Sequence, residues 1–454
     1  MRHSRRSFLR KTCAAACGAG LVSSLENLSL LSALAQTSAS DYKALVCVFL
    51  NGGNDGNNTV VPREPAEYAA YAATRRELAI PRDRLLSIRP PSAGGVEFGF
   101  HPSCKGMQTL FNAGKLAVVS NVGTLVEPVT RAQYQARTAR LPDNLFSHSD
   151  QVVQWQAAIS ENTNATKMNG WGARVADKVA GLNAGASLPL MVSYAGGVFL
   201  TGGQEQPYAP FVLLSPFFFG DSQNDVAVAK EYTQKIVGTD ANSHAARAAN
   251  RTLRDGVFYA DNMNTLVRLP TTFTWPSQDA FSLSTFFPIA KMIAERQRFG
   301  LKRQVFFLRL DGFDHHTNQL GSHAQLLSLV SAGLHDFYAA TEQLGVASQV
   351  TTFVLSDFGR TYKPAAGAGS DHAWGNHLFV AGGAVRGGDF YGKLPTPALG
   401  GPDDADGNGR WIPTISVEQY AATLAAWFGL GPDEIREVFP NLGRFDKPNL
   451  GFLG

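Results

Sequence analysis

The run Gln304-Val305-Phe306-Phe307-Leu308-Arg309-Leu310 passes directly into Asp311-Gly312-Phe313-Asp314-His315-His316. A second run, Val350-Thr351-Thr352-Phe353-Val354-Leu355-Ser356, passes into Asp357-Phe358-Gly359-Arg360-Thr361. A third, Ala44–Leu50, opens into Asn51-Gly52-Gly53-Asn54-Asp55-Gly56-Asn57-Asn58-Thr59. Each is a continuous apolar or β-branched stretch of strand length, the pattern of a central parallel strand buried on both faces. Carboxylates and imidazoles follow the first two strand ends, and Asp371-His372 and His377 come soon after the second. Strand ends are where α/β proteins assemble metal and catalytic sites.

Helical patterning alternates with these strands. It is expected at 65–78, 104–113, 151–158, 171–180, 242–269, 286–299, 319–344 and 416–428, with further strands at 116–120, 188–194 and 378–381. Alternation of this kind predicts an α/β sandwich around a mostly parallel sheet. Residues 195–240 are rich in Gly, Pro and Phe, so about 195–300 is expected to form an insertion or cap. No repeat or coiled-coil heptad interrupts the chain.

The first residues read as an address rather than as structure. Ser4-Arg5-Arg6-Ser7-Phe8-Leu9-Arg10 has the form of a twin-arginine signal, an apolar stretch follows from Thr12 to Leu34, and Ala33-Leu34-Ala35 supplies the small residues of a cleavage site. Residues 1–35 are therefore expected to be a leader directing export to the periplasm or beyond, and 36–454 a single α/β domain. The leader carries Arg2, Arg5, Arg6, Arg10 and Lys11 against Glu26, or +4 of a whole-chain +3, which leaves the remainder near −1. No basic excess remains to attract nucleic acid. No later stretch has the uninterrupted apolar length of an integral membrane span. Two cysteines, Cys47 and Cys104, lie beyond the leader. Cys47 sits in an apolar run as a small hydrophobe, and the spacing does not call for a disulfide.

The Asn51–Thr59 loop combines glycines, which permit positive φ, with Asp55, a hard oxygen ligand. A tight turn with Asn and Asp satisfying backbone groups reads equally well. The loop has neither Walker nor dinucleotide-binding spacing. Asp314 and His316, one residue apart, can face one ion, while His315 faces the opposite side. Carboxylate with neutral imidazole suits Zn, Mn or Fe better than Ca, and the alternative is a hydrogen-bonded Asp–His cluster that orders the loop. Arg360 is placed either to bind an anionic group or to pair with a nearby carboxylate. Asp55, Asp314, His316, Asp357, Asp371, His372 and His377 form the candidate set for a one- or two-metal centre, which would polarise a phosphate or sulfate ester.

The segments Leu50–Pro62, Gly312–Gln319, Ser356–Thr361 and Asp371–His377, together with His101-Pro102, Ser147-His148 and Gly170-Trp171, resemble the domain-of-unknown-function 1501 family of bacterial proteins, commonly exported by the twin-arginine route. That layout is in turn similar to the alkaline phosphatase and sulfatase superfamily, which implies a three-layer, alkaline-phosphatase-like sandwich. Two positions depart from the superfamily. Asn51 stands where a metal-binding Asp is usual, and Phe358 follows Asp357 where an Asp-His pair is usual. No Cys-x-Pro-x-Arg sequence is present, which disfavours a formylglycine sulfatase. Ser147 is the first candidate nucleophile, with an N-cap role as its alternative, and Thr59 is the second. The resulting expectation is an exported metal-dependent hydrolase of a small-molecule or polymer ester. The alternative is a catalytically silent member of the same fold that binds or assembles at the envelope.

Overall fold

The computed structural model describes residues 41–161, 169–195 and 243–454, together with Phe199, Phe211, Val212, Glu231 and Lys235. The expected leader lies outside these residues, as does most of 195–242. The body is the compact unit Lys43–Gly454. Its strands are β1 (Lys43–Leu50), β2 (Val60–Pro62), β3 (Leu86–Ile88), β4 (Phe98–Phe100), β5 (Leu116–Gly123), β6 (Met191–Ser193), β7 (Phe211–Val212), β8 (Arg303–Leu310), β9 (Val350–Ser356), β10 (Asn376–Gly382), β11 (Phe390–Tyr391) and β12 (Ile415–Ser416).

The main sheet runs β11-β5-β10-β9-β1-β8-β6-β7, with β12 also on β5, and β2-β4-β3 form a small separate sheet. Strand β10 is antiparallel to β5 and β9. The other pairings of the main sheet are parallel. Strand β1 lies between β8 and β9, and its last residue, Leu50, stands level with both Leu310 and Ser356. Three strands therefore stop at one edge, and the loops beginning at Asn51, Asp311 and Asp357 emerge side by side.

Helices cover both faces. Leu45, Cys47 and Phe49, alternate residues of β1, pack with Trp171 and Val175 of the helix Trp171–Val179 and with Tyr420 and Leu424 of the helix Val417–Phe428. The opposite layer contains the helices Lys105–Asn112, Ala280–Ala294 and Gln319–Gln343, the last packed against both of the others. Burial of each large apolar side chain contributes on the order of 2 kcal/mol, so this sheet dominates the stability of the unit. Cys47 and Cys104 are buried free thiols. No helix among the described residues is long and apolar enough to cross a membrane.

Several element boundaries differ from expectation, including the strands expected at 116–120 and 188–194, which are Leu116–Gly123 and Met191–Ser193, and three differences bear on the site or its supports. The helix expected from 286 starts at Ala280, because the Asp279 side chain accepts a hydrogen bond from Ser282 N and caps it there. The helix expected from 151 starts at His148, in the turn that follows Phe146. Strand β10 starts at Asn376 rather than 378. That shift takes His377 out of a loop and fixes it within the sheet.

Candidate metal centre

Asp357 leaves the end of β9 fully buried, facing the turn that leaves β1. Its Oδ1 accepts hydrogen bonds from Gly52 N (2.9 Å) and Gly53 N (2.7 Å). Its Oδ2 is 2.6 Å from His148 Nδ1. Gly52 and Gly53 have φ of 116° and 85°, and a Cβ on Gly52 would come within 2.3 Å of Asp314 N. Only glycine lets two successive N–H groups converge on a carboxylate at this spacing.

With Nδ1 held by Asp357, His148 aims Nε2 at the loop after β8. This nitrogen is buried and has no hydrogen-bond partner. It lies 3.2 Å from Asp314 Oδ1, close enough for attraction but without hydrogen-bond alignment. Asp314 Oδ1 is also 3.3 Å from His372 Nε2, 2.9 Å from His316 Nε2 and 2.8 Å from Arg360 Nη1. The Nε2 atoms of His316 and His372 are 3.0 Å apart. His148, Asp314 and His372 each offer one ligand atom within 4.8 Å of the others.

The second nitrogen of His372 is also committed, because Nδ1 donates to Phe146 O at 2.8 Å. Phe146 has φ 76°, an unfavourable conformation for a bulky residue, and the Arg410 guanidinium lies 4.7 Å over its ring. Arg410 Nε also donates to His372 O (2.7 Å). One arginine thus braces both the strained carbonyl and the histidine it orients. The Phe358 ring stacks on His372 at 4.6 Å and tilts against His148 at 4.5 Å.

The electrostatics follow from this packing. Burial raises the Asp314 pKa, but Arg360 and His148 outweigh it and hold the carboxyl at about 2. Burial lowers the His148 pKa, yet the Asp357 and Asp314 carboxylates carry it above the ordinary value. His372 moves down, through burial and then through the neighbouring His148 and Arg360 cations.

The expected site residues divide accordingly. Asp314, His316 and His372 come together, and Asp371 reaches His316 Nδ1 at 3.3 Å. Asp357 stands behind His148, orienting it. Arg360 is buried and takes the second of its two expected roles: besides Asp314, it holds Ser370 and Gly52 O. Asp55 does not join the cluster. Its carboxylate accepts from Arg75, Gln319 and Asn57 N, which makes it a buried structural charge. His377 does not join either, since residence in β10 turns Nδ1 toward Asn121 N (3.2 Å), and burial lowers its pKa to about 4.

Neither expected nucleophile has a free hydroxyl. Thr59 is fully buried and donates to Asp55 O (2.8 Å), while Ser147 donates to Asp150 Oδ2. Ser147 does occupy the N-cap position, but its side chain makes no capping bond. His148 is a candidate ligand that the sequence reading does not single out. It sits within the Ser147-His148 landmark, but its role depends on Asp357, 209 residues away in sequence.

This donor set fits a divalent cation. Two imidazoles, each with Nδ1 fixed and Nε2 facing inward, converge on an ionised carboxylate, the arrangement by which protein groups orient metal-ligating histidines. The Nε2 of His148 has only the poorly aligned approach to Asp314 Oδ1 at 3.2 Å, which leaves room for a better-placed partner.

A mostly parallel α/β sandwich with carboxylates and imidazoles at its central strand ends defines the general class. The chain belongs to the family described as protein of unknown function (DUF1501), whose sequence profile matches residues 42–434. No curated protein matches it. Among solved structures it is similar to the PsFucS1 sulfatase from Pseudoalteromonas sp. (12% identity, 90% of this chain and 71% of that one, TM-score 0.35). It is also similar to the lipoteichoic acid synthase LtaP from Listeria monocytogenes (8%, 87% and 74%, TM-score 0.32). A third is a TAB5 alkaline phosphatase mutant with Mg bound in its M3 site (10%, 88% and 98%, TM-score 0.31).

Proposed function

We propose that this chain is an exported, metal-dependent hydrolase of phosphate or sulfate esters. The observation that carries this reading is the convergence of His148 Nε2, its ring held by Asp357, with Asp314 and His372, each offering one ligand atom within 4.8 Å of the others. Those three residues would hold the ion, with His316 beside them. Zn, Mn or Fe suits the mixture of imidazole and carboxylate. A divalent ion bound there would polarise an ester oxygen and lower the pKa of a water molecule.

The chain's own groups supply the rest. Arg360 keeps Asp314 ionised, Phe146 O and Asp357 fix the two imidazoles, and the Phe358 ring seals them from behind. With Thr59 and Ser147 both engaged, water is the better nucleophile, and His316 is the half-exposed base nearest the cluster. Export is part of the proposal and rests on the twin-arginine sequence Ser4–Arg10.

Metal analysis of the natively exported protein, combined with assays on aryl phosphate and aryl sulfate esters, tests this reading. The expected result is stoichiometric transition metal and turnover, both lost in His148→Ala with the fold retained. Metal-free protein would sink it. A second reading, a catalytically silent envelope binding protein, is favoured by the engagement of both candidate hydroxyls. It predicts metal without turnover, or no metal at all.

A further inference from the structure

The candidate ligands divide unevenly between a first ion and any second. Asp314 Oδ1 is the hub of the cluster: the Nε2 atoms of His316, His148 and His372 stand 2.9, 3.2 and 3.3 Å from this one oxygen. Donors about 2.0–2.2 Å from one tetrahedral ion stand about 3.3–3.6 Å from each other. The spacing of His148, Asp314 and His372 is therefore close to that of a single ligand shell. A two-metal site holds its ions about 3.5–4 Å apart and needs donors for each.

The groups that a second ion would need are spent within the chain. Asp357 Oδ1 accepts from Gly52 N (2.9 Å) and Gly53 N (2.7 Å), while its Oδ2 accepts from Gly52 N (3.1 Å) and meets His148 Nδ1 at 2.6 Å. An ion between His148 and Asp357 would have to displace the hydrogen that joins them. Asp55 is taken by Arg75 and Gln319, and His377 Nδ1 by Asn121 N. A fixed cation is also present already. Arg360 Nη1 meets Asp314 Oδ1 at 2.8 Å, and the guanidinium, 1% exposed, is held by Ser370 Oγ and Gly52 O at 3.2 Å each. Its charge repels any further divalent ion that would share Asp314.

We infer, resting on the metal-dependent reading of this site, that the centre takes a single divalent ion per chain, with Arg360 as the permanent cation where a second ion would otherwise be required. His148 then has a divided role: Nε2 faces the ion, and Nδ1 keeps its hydrogen on Asp357.

Stoichiometry and a proton signal test this without any assay of turnover. The full chain, stripped of metal and dialysed against Zn with a weak chelator to keep surface sites empty, should retain one ion per chain by elemental analysis. His148→Ala and His372→Ala, each checked for an intact fold by circular dichroism, should lose that ion at Zn concentrations that saturate the wild type, whereas a two-ion centre would keep one. In protein labelled with ¹⁵N-histidine, the His148 Nδ1–H signal, assigned by its absence from His148→Ala, should persist when Zn is added. Two ions per chain, one ion kept in either variant, or loss of that Nδ1–H signal would each overturn the single-ion centre and leave a metal-dependent hydrolase standing. Protein that binds no Zn would overturn both, so the two failures are distinguishable.

Discussion

Two clusters of the same residue types flank the strand ends and are built to opposite purposes. Around Asp55 the carboxylate itself is saturated. Arg75 and Gln319 fill the carboxylate, His323 Nε2 meets Asn54 Oδ1 at 2.9 Å, and burial drives the His323 pKa down to about 3. Around Asp314 the side chains are partly exposed, His148 Nε2 is unpartnered, and three imidazoles crowd one carboxylate oxygen. A saturated buried network stabilises a fold, whereas a partly exposed cluster of imidazoles on a carboxylate is a candidate cation site. Residue type alone does not separate the two. Each carboxylate has its arginine, Arg75 on Asp55 and Arg360 on Asp314, and what separates the clusters is the exposure of Asp314 and the three imidazoles gathered on one of its oxygens.

The largest effect expected from this contrast is on stability. Arg75→Met strands the Asp55 charge in the interior and should cost about 3–5 kcal/mol in chemical denaturation. His148→Ala, by comparison, should cost less, because Asp357 keeps the Gly52 and Gly53 N–H donors when the imidazole is removed. Reversal of that order would erase the distinction between the clusters.

Glu418 offers an intermediate case, a buried carboxylate facing Asn441 N (3.0 Å) but with Oε1 unpartnered. Burial, only partly offset by Asn441 and by Arg174 and Arg444, raises its pKa from 4.5 to about 7. A raised carboxyl contributes stability that is complete below the unfolded value and lost as pH climbs through the folded one. Wild-type stability should therefore fall between about pH 4.5 and 7 through this group. Glu418→Gln should flatten that window and be more stable at pH 8 by up to about 3 kcal/mol, read from denaturation at several pH values.

Asp357→Asn addresses the open cluster from behind. Removing the carboxylate that orients His148 should weaken metal affinity by about 10- to 100-fold in competition with a chelator. Unchanged affinity would mean that His148 needs no orientation. The smallest effect belongs to Ser147→Ala, which should alter stability by about 1 kcal/mol or less and leave ester turnover intact. Loss of turnover there would restore Ser147 as nucleophile.

The architecture was legible because apolar runs such as Val305–Leu308 and Val350–Leu355 announce buried strands without help from distant residues. Asp314, His316 and His372 were legible as a set because they lie in the connections that follow such runs. The rest depended on partners that local pattern does not name. Asp55 resembles a ligand until Arg75 is found to face it from a helix twenty residues on. His377 resembles a loop ligand until β10 extends two residues further back and turns it into the sheet. His148, near the start of its own helix, becomes a ligand candidate only through Asp357.

The contact between His148 and Asp357 spans 209 residues, and that between Gly52 and Asp357 spans 305. Contacts this distant along the chain form late in folding, after the intervening loops have closed. The open cluster therefore depends on closure of those intervening loops. In kinetic terms, the ability to take up an ion should emerge together with the slowest phase of refolding, so capture of metal would mark the moment at which the central sheet is complete.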